Sequence, residues 1–290
     1  MEYNYTVRER IIECKSTDVI SLIPFGDVHR DTPLCDEDRW KYFLQGCREI
    51  QAENPLTLFL STGDSHDFAS FSEVRNIRNS KLHETTINKF DLMAQKDNRK
   101  FAREIDFMRG HMLGFIEGNH GWVMKNNKTA TEDLAERMDS ESLGWLCHYT
   151  LNFKFTDRGG LSSHNVYGVI CHGKAGGYTA GSTVNQVDKL RRIFPAADFY
   201  IMAHDHERWA VPKSVLLPVS AMGCTKIKQK RQFLCRSGSF MKGFVDGQSS
   251  YVVGGLYTPS DLGSLVMRIG FHRDQRKGED RTITDIKVIV

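Results

Sequence analysis

Five short apolar runs constrain the fold of this chain more than any other feature, because each is followed closely by residues of the type that bind metal ions. The runs span residues 19–23, 56–60, 112–116, 166–170 and 199–202. Their length and their content of β-branched and aromatic residues predict buried strands. The polar residues that follow them are Asp27, His29, Asp64, Asn119, His172, His204 and His206.

Helical patterns separate these predicted strands. In residues 36–54, apolar side chains recur at offsets of 0, 3, 4 and 7 from Trp40, which defines one face of an amphipathic helix that Pro55 ends. Residues 183–194 carry a similar pattern before Pro195. The long polar stretch between the second and third runs is expected to be mostly helical. Strands that alternate with helices predict an α/β layered architecture.

The chain becomes rich in predicted strands after Pro212. These strands cover residues 215–219, 233–237, 251–253, 265–269 and 286–290, with glycines and turn residues between them. No segment has the composition of a linker, so residues 1–290 are expected to form one domain.

Composition indicates the environment in which the chain works. It has seven cysteines, an odd number with no C-x-x-C pair, which argues against a disulfide framework and favours a reducing compartment. The first residues lack the apolar core of a signal peptide, and no apolar run approaches the ~20 residues of a membrane helix. We therefore expect a cytoplasmic protein without a membrane partner. The net charge of +3 does not by itself indicate a nucleic-acid partner.

The polar residues after the five runs are expected to meet in space, because strand carboxyl ends in an α/β sheet converge on one crevice. Residues two apart on a strand point the same way. Asp27 with His29, and His204 with His206, can therefore each reach one site. Carboxylates and imidazoles without thiolates suit Mn²⁺, Fe, Zn²⁺ or similar divalent ions. The sequence thus predicts a metal cluster at the strand ends.

These residues stand in blocks that resemble the motifs of the calcineurin-like metallophosphoesterases. The blocks, in the family's order, are Gly26-Asp27-Val28-His29, Gly63-Asp64-Ser65-His66-Asp67, Gly118-Asn119-His120, His172 and Ala203-His204-Asp205-His206. The resemblance spans residues 19–206 and is nearer the repair-nuclease and phage-type stand-alone branch than the phosphoprotein phosphatases. It implies a four-layer αββα sandwich whose second sheet is formed by the strand-rich C-terminal half.

The resemblance also implies a centre of two divalent metal ions, with Mn favoured and Fe, Zn, Ni or Mg as alternatives. Asp64 would bridge the two ions, and His120 would act on the leaving group or on the charge that develops at phosphorus. The implied ligands of one ion are Asp27, His29 and His206, and those of the other are Asn119, His172 and His204.

Two departures from the family pattern affect the site. Many relatives have an acidic residue after the G-N-H motif that orients the catalytic histidine, whereas this chain has Gly121. Asp67 is therefore the candidate that orients His120, and we count it with the catalytic residues. The second block also lacks the Asp-Arg-Gly continuation of the serine/threonine phosphoprotein phosphatases, which argues against membership of that subfamily.

Several other residues fit either a functional or a purely structural role. His66, Lys174 and Arg236 are candidates for substrate contact, although His66 fits an exposed loop residue equally well and the glycine-rich segment 173–178 fits a plain turn. Residues 226–231 form the one basic cluster, which is either a solvated strand edge or a surface for a phosphate backbone. Glu117 is expected to face solvent or cap a neighbouring element rather than act as a base.

The favoured function is hydrolysis of a phosphodiester in DNA, RNA or a nucleotide. One alternative is a monoesterase for a small metabolite or a phosphoprotein, which would use the same metal site. The other is an interaction scaffold that keeps the fold without catalysis, and the complete set of ligand positions argues against it.

Overall fold

The computed structural model describes residues 4–68, 76–77, 83–158, 162–174, 179–221, 224–256, 258–274 and 281–290. Its strands are β1 Tyr5–Cys14, β2 Ile20–Phe25, β3 Thr57–Ser61, β4 Met112–Ile116, β5 Ser142–Gly144, β6 Leu146–Phe155, β7 Ser163–Cys171, β8 Phe199–Met202, β9 Arg208–Ala221, β10 Cys224–Ser237, β11 Val266–Asp274 and β12 Arg281–Ile289. Its helices are α1 Glu37–Glu53, α2 Glu84–Glu104, α3 Ala130–Arg137, α4 Ala180–Ile193 and α5 Tyr251–Gly254, with a 3₁₀ turn at Asp106–Met108.

The strands form two six-stranded mixed sheets. Sheet A has the order β1-β6-β7-β8-β10-β9, and sheet B has the order β12-β11-β2-β3-β4-β5. Strands β2 to β5 run parallel in sheet B, and β7, β8 and β10 run parallel in sheet A. Parallel neighbours end at the same sheet edge, so the loops that follow these strands gather there.

The two sheets pack face to face, and helices cover their outer faces. Leu22 of sheet B and Leu151 of sheet A belong to one buried apolar cluster between the sheets. Trp40 of α1 packs against Phe25 on the outer face of sheet B. Val187 of α4 joins a third cluster on the outer face of sheet A. The predicted four-layer αββα sandwich is therefore confirmed.

Helix α1 shows how local sequence builds one outer layer. The Asp36 carboxylate accepts a hydrogen bond of 3.0 Å from the Arg39 backbone N–H and so caps the helix. The Trp40 ring is buried and stacks on Phe101 of α2 with centroids 5.6 Å apart. Its indole N–H donates to Glu104 at 3.0 Å. These contacts hold α1 and α2 together above sheet B.

Two predictions for the C-terminal half are wrong. Residues 251–253 form part of helix α5 rather than a strand, because the Ser250 hydroxyl accepts from the Val252 N–H at 3.1 Å and starts a helical turn. The C-terminal strands also do not form a sheet of their own. Strands β9 and β10 extend sheet A beside β8, whereas β11 and β12 extend sheet B beside β2.

The sequence patterns did not predict β1, β5, β6 or α3, which the structure shows. The five apolar runs correspond to β2, β3, β4, β7 and β8, although Val19 and Leu56 come directly before their strands, and the two predicted helices correspond to α1 and α4. The polar stretch between the second and third runs contains α2, as expected. Among the described residues, no helix is both long and apolar enough to cross a membrane. The single domain over residues 1–290 stays a prediction.

Candidate metal centre

All seven predicted ligands lie on the loops that follow parallel strands, where the two sheets meet. Asp27, His29, Asp64 and Asn119 follow strands of sheet B, and the other three follow β7 and β8 of sheet A. The sheets are joined here by direct contacts. The His204 backbone N–H donates to Asp27 Oδ2 at 2.9 Å, which links the end of β8 to the end of β2.

Asp27, His29 and His206 form the first group. One ligand atom of each lies within 4.8 Å of the others, and all three side chains are buried. Asp27 Oδ1 and both ring nitrogens of His29 have no hydrogen-bond partner in the described part of the chain. Buried polar atoms without a partner cost roughly 1–3 kcal/mol each, so native proteins rarely leave them unused. The orphaned atoms therefore fit a bound cation.

Asp64, His172 and His204 form the second group. Three ligand-type atoms face the same ring nitrogen, Nε2 of His172. Asn119 Oδ1 lies 2.7 Å from it, Asp64 Oδ2 3.0 Å and His204 Nδ1 3.2 Å. The other ring nitrogen of His172 lies 2.9 Å from the Thr62 carbonyl oxygen, to which its N–H can donate. That bond leaves Nε2 for a metal ion, as is typical of metal-binding histidines.

The backbone holds these ligands in an uncommon conformation. Eight non-glycine residues of the described chain have positive φ, and five of them are predicted ligands: Asp27, His29, Asp64, His204 and His206. A positive φ is costly for residues with a Cβ, of order 1–3 kcal/mol, although Asp and His tolerate it better than most. Such strain clusters at functional sites, where the surrounding fold offsets it.

The glycines of the motifs allow the loops to approach one another. A Cβ on Gly118 would lie 1.8 Å from Asp64 Oδ1, and one on Gly63 would lie 2.7 Å from His172 Nδ1. Asp64 Oδ1 instead accepts the backbone N–H of His120 at 2.9 Å. The glycines before Asp64 and Asn119 are thus required by the packing of one ligand loop against the next.

His120 and Asp67 form a contact at the edge of the centre. Asp67 Oδ1 is hydrogen-bonded to His120 Nδ1 and lies on the same side as His29, whose Nδ1 is 4.0 Å from Asp67 Oδ2. Burial lowers the pKa of His120, but the hydrogen bond that its ring N–H donates to Asp67 and the charge of Asp64 outweigh it and raise the pKa above its usual value. The structure therefore brings Asp67 to the position predicted for it.

Asp67 also belongs to a third cluster of potential ligands, with His29 and His120. This cluster is less buried than the two groups above, since Asp67 and His120 are partly exposed. The motif resemblance assigns His120 and Asp67 no ligand role. A metal site here is the main structural rival to the predicted arrangement.

Burial and mutual charge set the pKa values of the ligands. Desolvation raises the pKa of Asp27 to about 7 and lowers that of His29 to about 4. Burial opposes ionisation of Asp64 and His172 as well, but their mutual attraction dominates. It holds the pKa of Asp64 well below its usual range and raises that of His172 to about 9. In the protein without metal, His172 is thus a cation beside an ionised Asp64.

Arg236 does not occupy the position of a substrate ligand. Its side chain is fully buried and donates to the Ala203 carbonyl oxygen, and its guanidinium lies 2.9 Å from Asp205 Oδ2. These contacts hold the loop that carries His204 and His206. The predicted contact between Arg236 and substrate is wrong, because the side chain has no exposed surface.

The remaining predicted residues lie in three settings. His66 is buried between Phe68 and Phe101 rather than exposed, with ring centroids 4.7 and 5.3 Å away. Lys174 is exposed, and residues 175–178 of the glycine-rich segment lie outside the described residues. Glu117 is buried and accepts from the Thr129 hydroxyl at 2.6 Å, so it contacts the N-cap of α3, in line with the expected capping role.

Two supporting residues were not predicted. The Thr62 carbonyl binds His172, and the Ser239 hydroxyl donates to the Asp27 carbonyl oxygen at 2.9 Å. Thr62 directly precedes Gly63, the first residue of the second block, so the sequence offered a signal that it lies at the site. Ser239 lies far from every motif and becomes visible only in the fold.

No protein-family model and no curated protein matches the chain. Among solved structures, it resembles a predicted phosphoesterase from Streptococcus pneumoniae at 10% identity, with 92% of this chain and 99% of that chain aligned and a TM-score of 0.33. It also resembles the calcineurin-like phosphoesterase YfkN from Bacillus subtilis at 10% identity, with 93% and 91% aligned and a TM-score of 0.30. A zinc complex of Vps29 from Entamoeba histolytica aligns at 9% identity over 92% and 99%, with a TM-score of 0.33. These are distant likenesses.

Proposed function

We propose that this protein is a phosphoesterase that depends on two divalent metal ions. The observation that carries the proposal is the pair of adjoining ligand groups, in which buried Asp27 Oδ1 and both nitrogens of His29 lack a hydrogen-bond partner among the described residues. A carboxylate and imidazole set of this kind suits Mn²⁺, Fe, Zn²⁺ or Ni²⁺. We favour Mn²⁺.

The ligand roles follow the two groups. Asp27, His29 and His206 would hold one ion, and Asn119, His172 and His204 the other. Asp64 would serve both, since its Oδ2 lies 3.0 Å from His172 Nε2 in the second group and its charge also acts on His29 of the first group. When bound, two such ions supply a nucleophile from water near neutral pH and offset the charge that builds on the phosphoryl oxygens.

The chain itself would manage the leaving group through His120. This side chain is partly exposed, and its hydrogen bond to Asp67 favours the protonated ring. A protonated His120 can donate to the leaving oxygen as the ester bond breaks. General acid catalysis of this kind contributes typically 10²–10⁴-fold to the rate. Asp67 then acts as a positioning residue, because it holds the ring through Nδ1.

Within this class we favour diesters of nucleic acid or nucleotides over monoesters. The exposed basic residues of β10, Lys226, Lys228 and Arg231, support the preference for diesters. The test compares hydrolysis of bis-p-nitrophenyl phosphate and p-nitrophenyl phosphate by the Mn²⁺-loaded protein. Turnover of the monoester alone would overturn the diester preference and favour the monoesterase.

Substitution of Asp64 tests the metal chemistry. Asp64→Asn keeps the shape of the side chain and removes its charge, so we expect activity to fall at least 10³-fold, as two-metal catalysis requires. Metal content should fall with it, while circular dichroism stays unchanged. An active variant with full metal content would refute the bridging role. Wild-type protein that binds no metal and hydrolyses neither ester would instead favour a non-catalytic scaffold.

A further inference from the structure

The β9–β10 hairpin extends well beyond the sheet from which it starts. Only Phe233–Arg236 of β10 pair with β8, whereas β9 and β10 stay paired with each other to Ala221 and Cys224. Nine residue pairs therefore form a two-stranded ribbon, residues 213–221 and 224–232, which we call the hairpin arm. At ~3.3 Å per residue, the arm is roughly 30 Å long.

The hairpin arm concentrates the positive charge of the molecule. Residues 213–232 contain five lysine or arginine residues and no aspartate or glutamate. The rest of the chain then has 34 basic against 36 acidic residues, which is slightly acidic. The net charge of +3 thus arises entirely from the hairpin arm. A local excess of this kind attracts polyanions even when the overall charge is small.

The lysines lie on one face of the arm. Residues paired across an antiparallel ladder point to the same side. Lys226, Lys228 and Gln232 are separated by even numbers of residues along β10, so their side chains point to the same side. Lys213 pairs with Gln232 across the ladder and therefore points to that side as well. Gln232 donates to the Ala197 carbonyl oxygen at 2.6 Å, so this face is the one that the loop between α4 and β8 covers at the root of the arm. Lys213, Lys226 and Lys228 are exposed.

The root of the arm is anchored. Lys230 Nζ donates to the Ala196 carbonyl oxygen at 2.6 Å and lies 2.9 Å from Asp198 Oδ1. This lysine is therefore engaged in holding the arm against the loop between α4 and β8. The exposed lysines on this face are Lys213, Lys226 and Lys228, which span roughly 20 Å along the ribbon.

We propose that the hairpin arm binds the phosphate backbone of a double-stranded nucleic acid through Lys213, Lys226 and Lys228. The claim that the metal centre then cleaves a diester of the same duplex rests on the proposed function. A duplex carries one negative charge per ~1.7 Å of its axis, and a two-stranded β-ribbon fits its major groove. The arm thus matches the partner in both charge and width.

The composition of the arm favours a duplex over a single strand. Proteins that hold single strands stack the bases on aromatic side chains. Residues 213–232 include no phenylalanine, tyrosine or tryptophan. Lysines set between aliphatic residues can contact phosphates but offer no stacking surface. We therefore expect binding that depends on salt and on the double strand, with little preference for sequence.

The arm and the metal centre belong to one continuous element. β9 begins two residues after His206. At the same end of the ladder, Ser237 pairs with Arg208, and its Oγ lies 3.0 Å from Thr62 Oγ1 beside the ligand loops. Lys228 is nine residues from Ser237, which corresponds to roughly 30 Å. At ~3.4 Å per phosphate along one strand, this distance matches about nine base pairs. Duplexes much shorter than that should not reach both places.

The test measures binding of a labelled duplex of about thirty base pairs, in EDTA so that nothing is cleaved, over a range of salt concentrations. The variant is Lys213→Gln/Lys226→Gln/Lys228→Gln. The matched control is Lys15→Gln/Lys154→Gln/Lys287→Gln, which removes equal charge from exposed positions outside the arm. Unchanged circular dichroism and thermal midpoints establish that both variants fold.

We expect the arm variant to bind at least tenfold more weakly and its salt slope to fall by about 2.7, since each phosphate contact contributes ~0.9. The control should stay within twofold of wild type. Equal losses in both variants, or no loss in the arm variant, would overturn the proposal. So would preferential binding of single strands or of phosphatidylserine vesicles.

The binding result and the proposed function can fail separately. Wild-type protein that hydrolyses bis-p-nitrophenyl phosphate but binds the duplex no better than the arm variant refutes the arm alone. Wild-type protein that binds the duplex through the arm but hydrolyses no diester refutes the proposed phosphodiesterase and with it cleavage of the bound duplex.

Discussion

At the residue scale, the centre is a set of side chains whose charges oppose one another unless a cation lies among them. Three lone-pair atoms face His172 Nε2, and buried Asp27 Oδ1 has no hydrogen-bond partner within the part of the chain that the structure describes. The protein without metal relieves part of this conflict by a proton on His172, whose pKa is raised to about 9 by Asp64 against the effect of burial. Metal and proton therefore compete for the same nitrogen.

This competition predicts proton release when metal binds. His172 carries a proton in the metal-free protein at pH 7.5 and must lose it to become a ligand. We expect about one proton released per chain from this residue, and weaker metal binding as the pH falls from 9 to 6. Calorimetric titration of Mn²⁺ in buffers of different ionisation enthalpy measures the number of protons released per chain. If Mn²⁺ binding at pH 7.5 releases no proton, the assignment of His172 as a metal ligand is contradicted.

The same shift affects the stability of the metal-free protein. A raised pKa favours the folded state only while the group is protonated. The contribution of His172 is thus fully present below pH ~6.5 and is lost as the pH rises through about 9.

Asp67 provides the second prediction at this scale. In Asp67→Asn, His120 loses the partner that raises its pKa, so the alkaline limb of the kcat–pH profile should move to lower pH. We expect kcat to fall roughly 10–100-fold, part of the range for general acid catalysis, with metal content unchanged. His120→Asn and the double variant complete the cycle. If the double variant is much slower than His120→Asn alone, Asp67 has a role other than positioning His120.

At the element scale, the loops are set by contacts that come from other elements. Arg236 of β10 holds the loop after β8 through Ala203 and Asp205, and it is fully buried. Loss of one partner from a buried ion pair costs about 3–5 kcal/mol, because the other charge is left unpaired.

Arg236→Met should therefore lower the free energy of unfolding by about 3–5 kcal/mol and weaken metal binding. Urea denaturation with and without Mn²⁺ measures both effects. Addition of Asp205→Asn removes the orphaned carboxylate and should restore part of the stability. A single variant that unfolds like wild type would show that the pair does not hold the loop.

An element could be predicted from the sequence when its segment clearly shows the hydrophobic pattern of a strand or a helix. The five apolar runs are continuous, and all their residues lie in strands except Val19 and Leu56, which come directly before β2 and β3. Strand β6 alternates between buried and partly exposed residues, with Tyr149, Leu151 and Phe153 buried. That period of two was present in the sequence and could have revealed the strand. The run at residues 251–253 was too short to show any period, and it is helical.

At the scale of the whole molecule, the motif order predicted the sandwich and the meeting of the ligands, but not how the C-terminal strands divide. Their assignment depends on which sheet edge each strand covers, which is a property of the fold. The role of Arg236 was missed for the same reason. A buried arginine and a substrate-binding arginine look alike in sequence, and only the packing of β10 beside β8 separates them.

The central claim is that the strand ends of both sheets form one centre for two metal ions. The most direct measurement is a crystal structure of the Mn²⁺-loaded protein, with anomalous scattering recorded on both sides of the Mn absorption edge. We predict two anomalous peaks per chain, one among Asp27, His29 and His206 and one among Asn119, His172 and His204, with Asp64 between them. A single peak among His29, Asp67 and His120, or no peak at all, would contradict the claim.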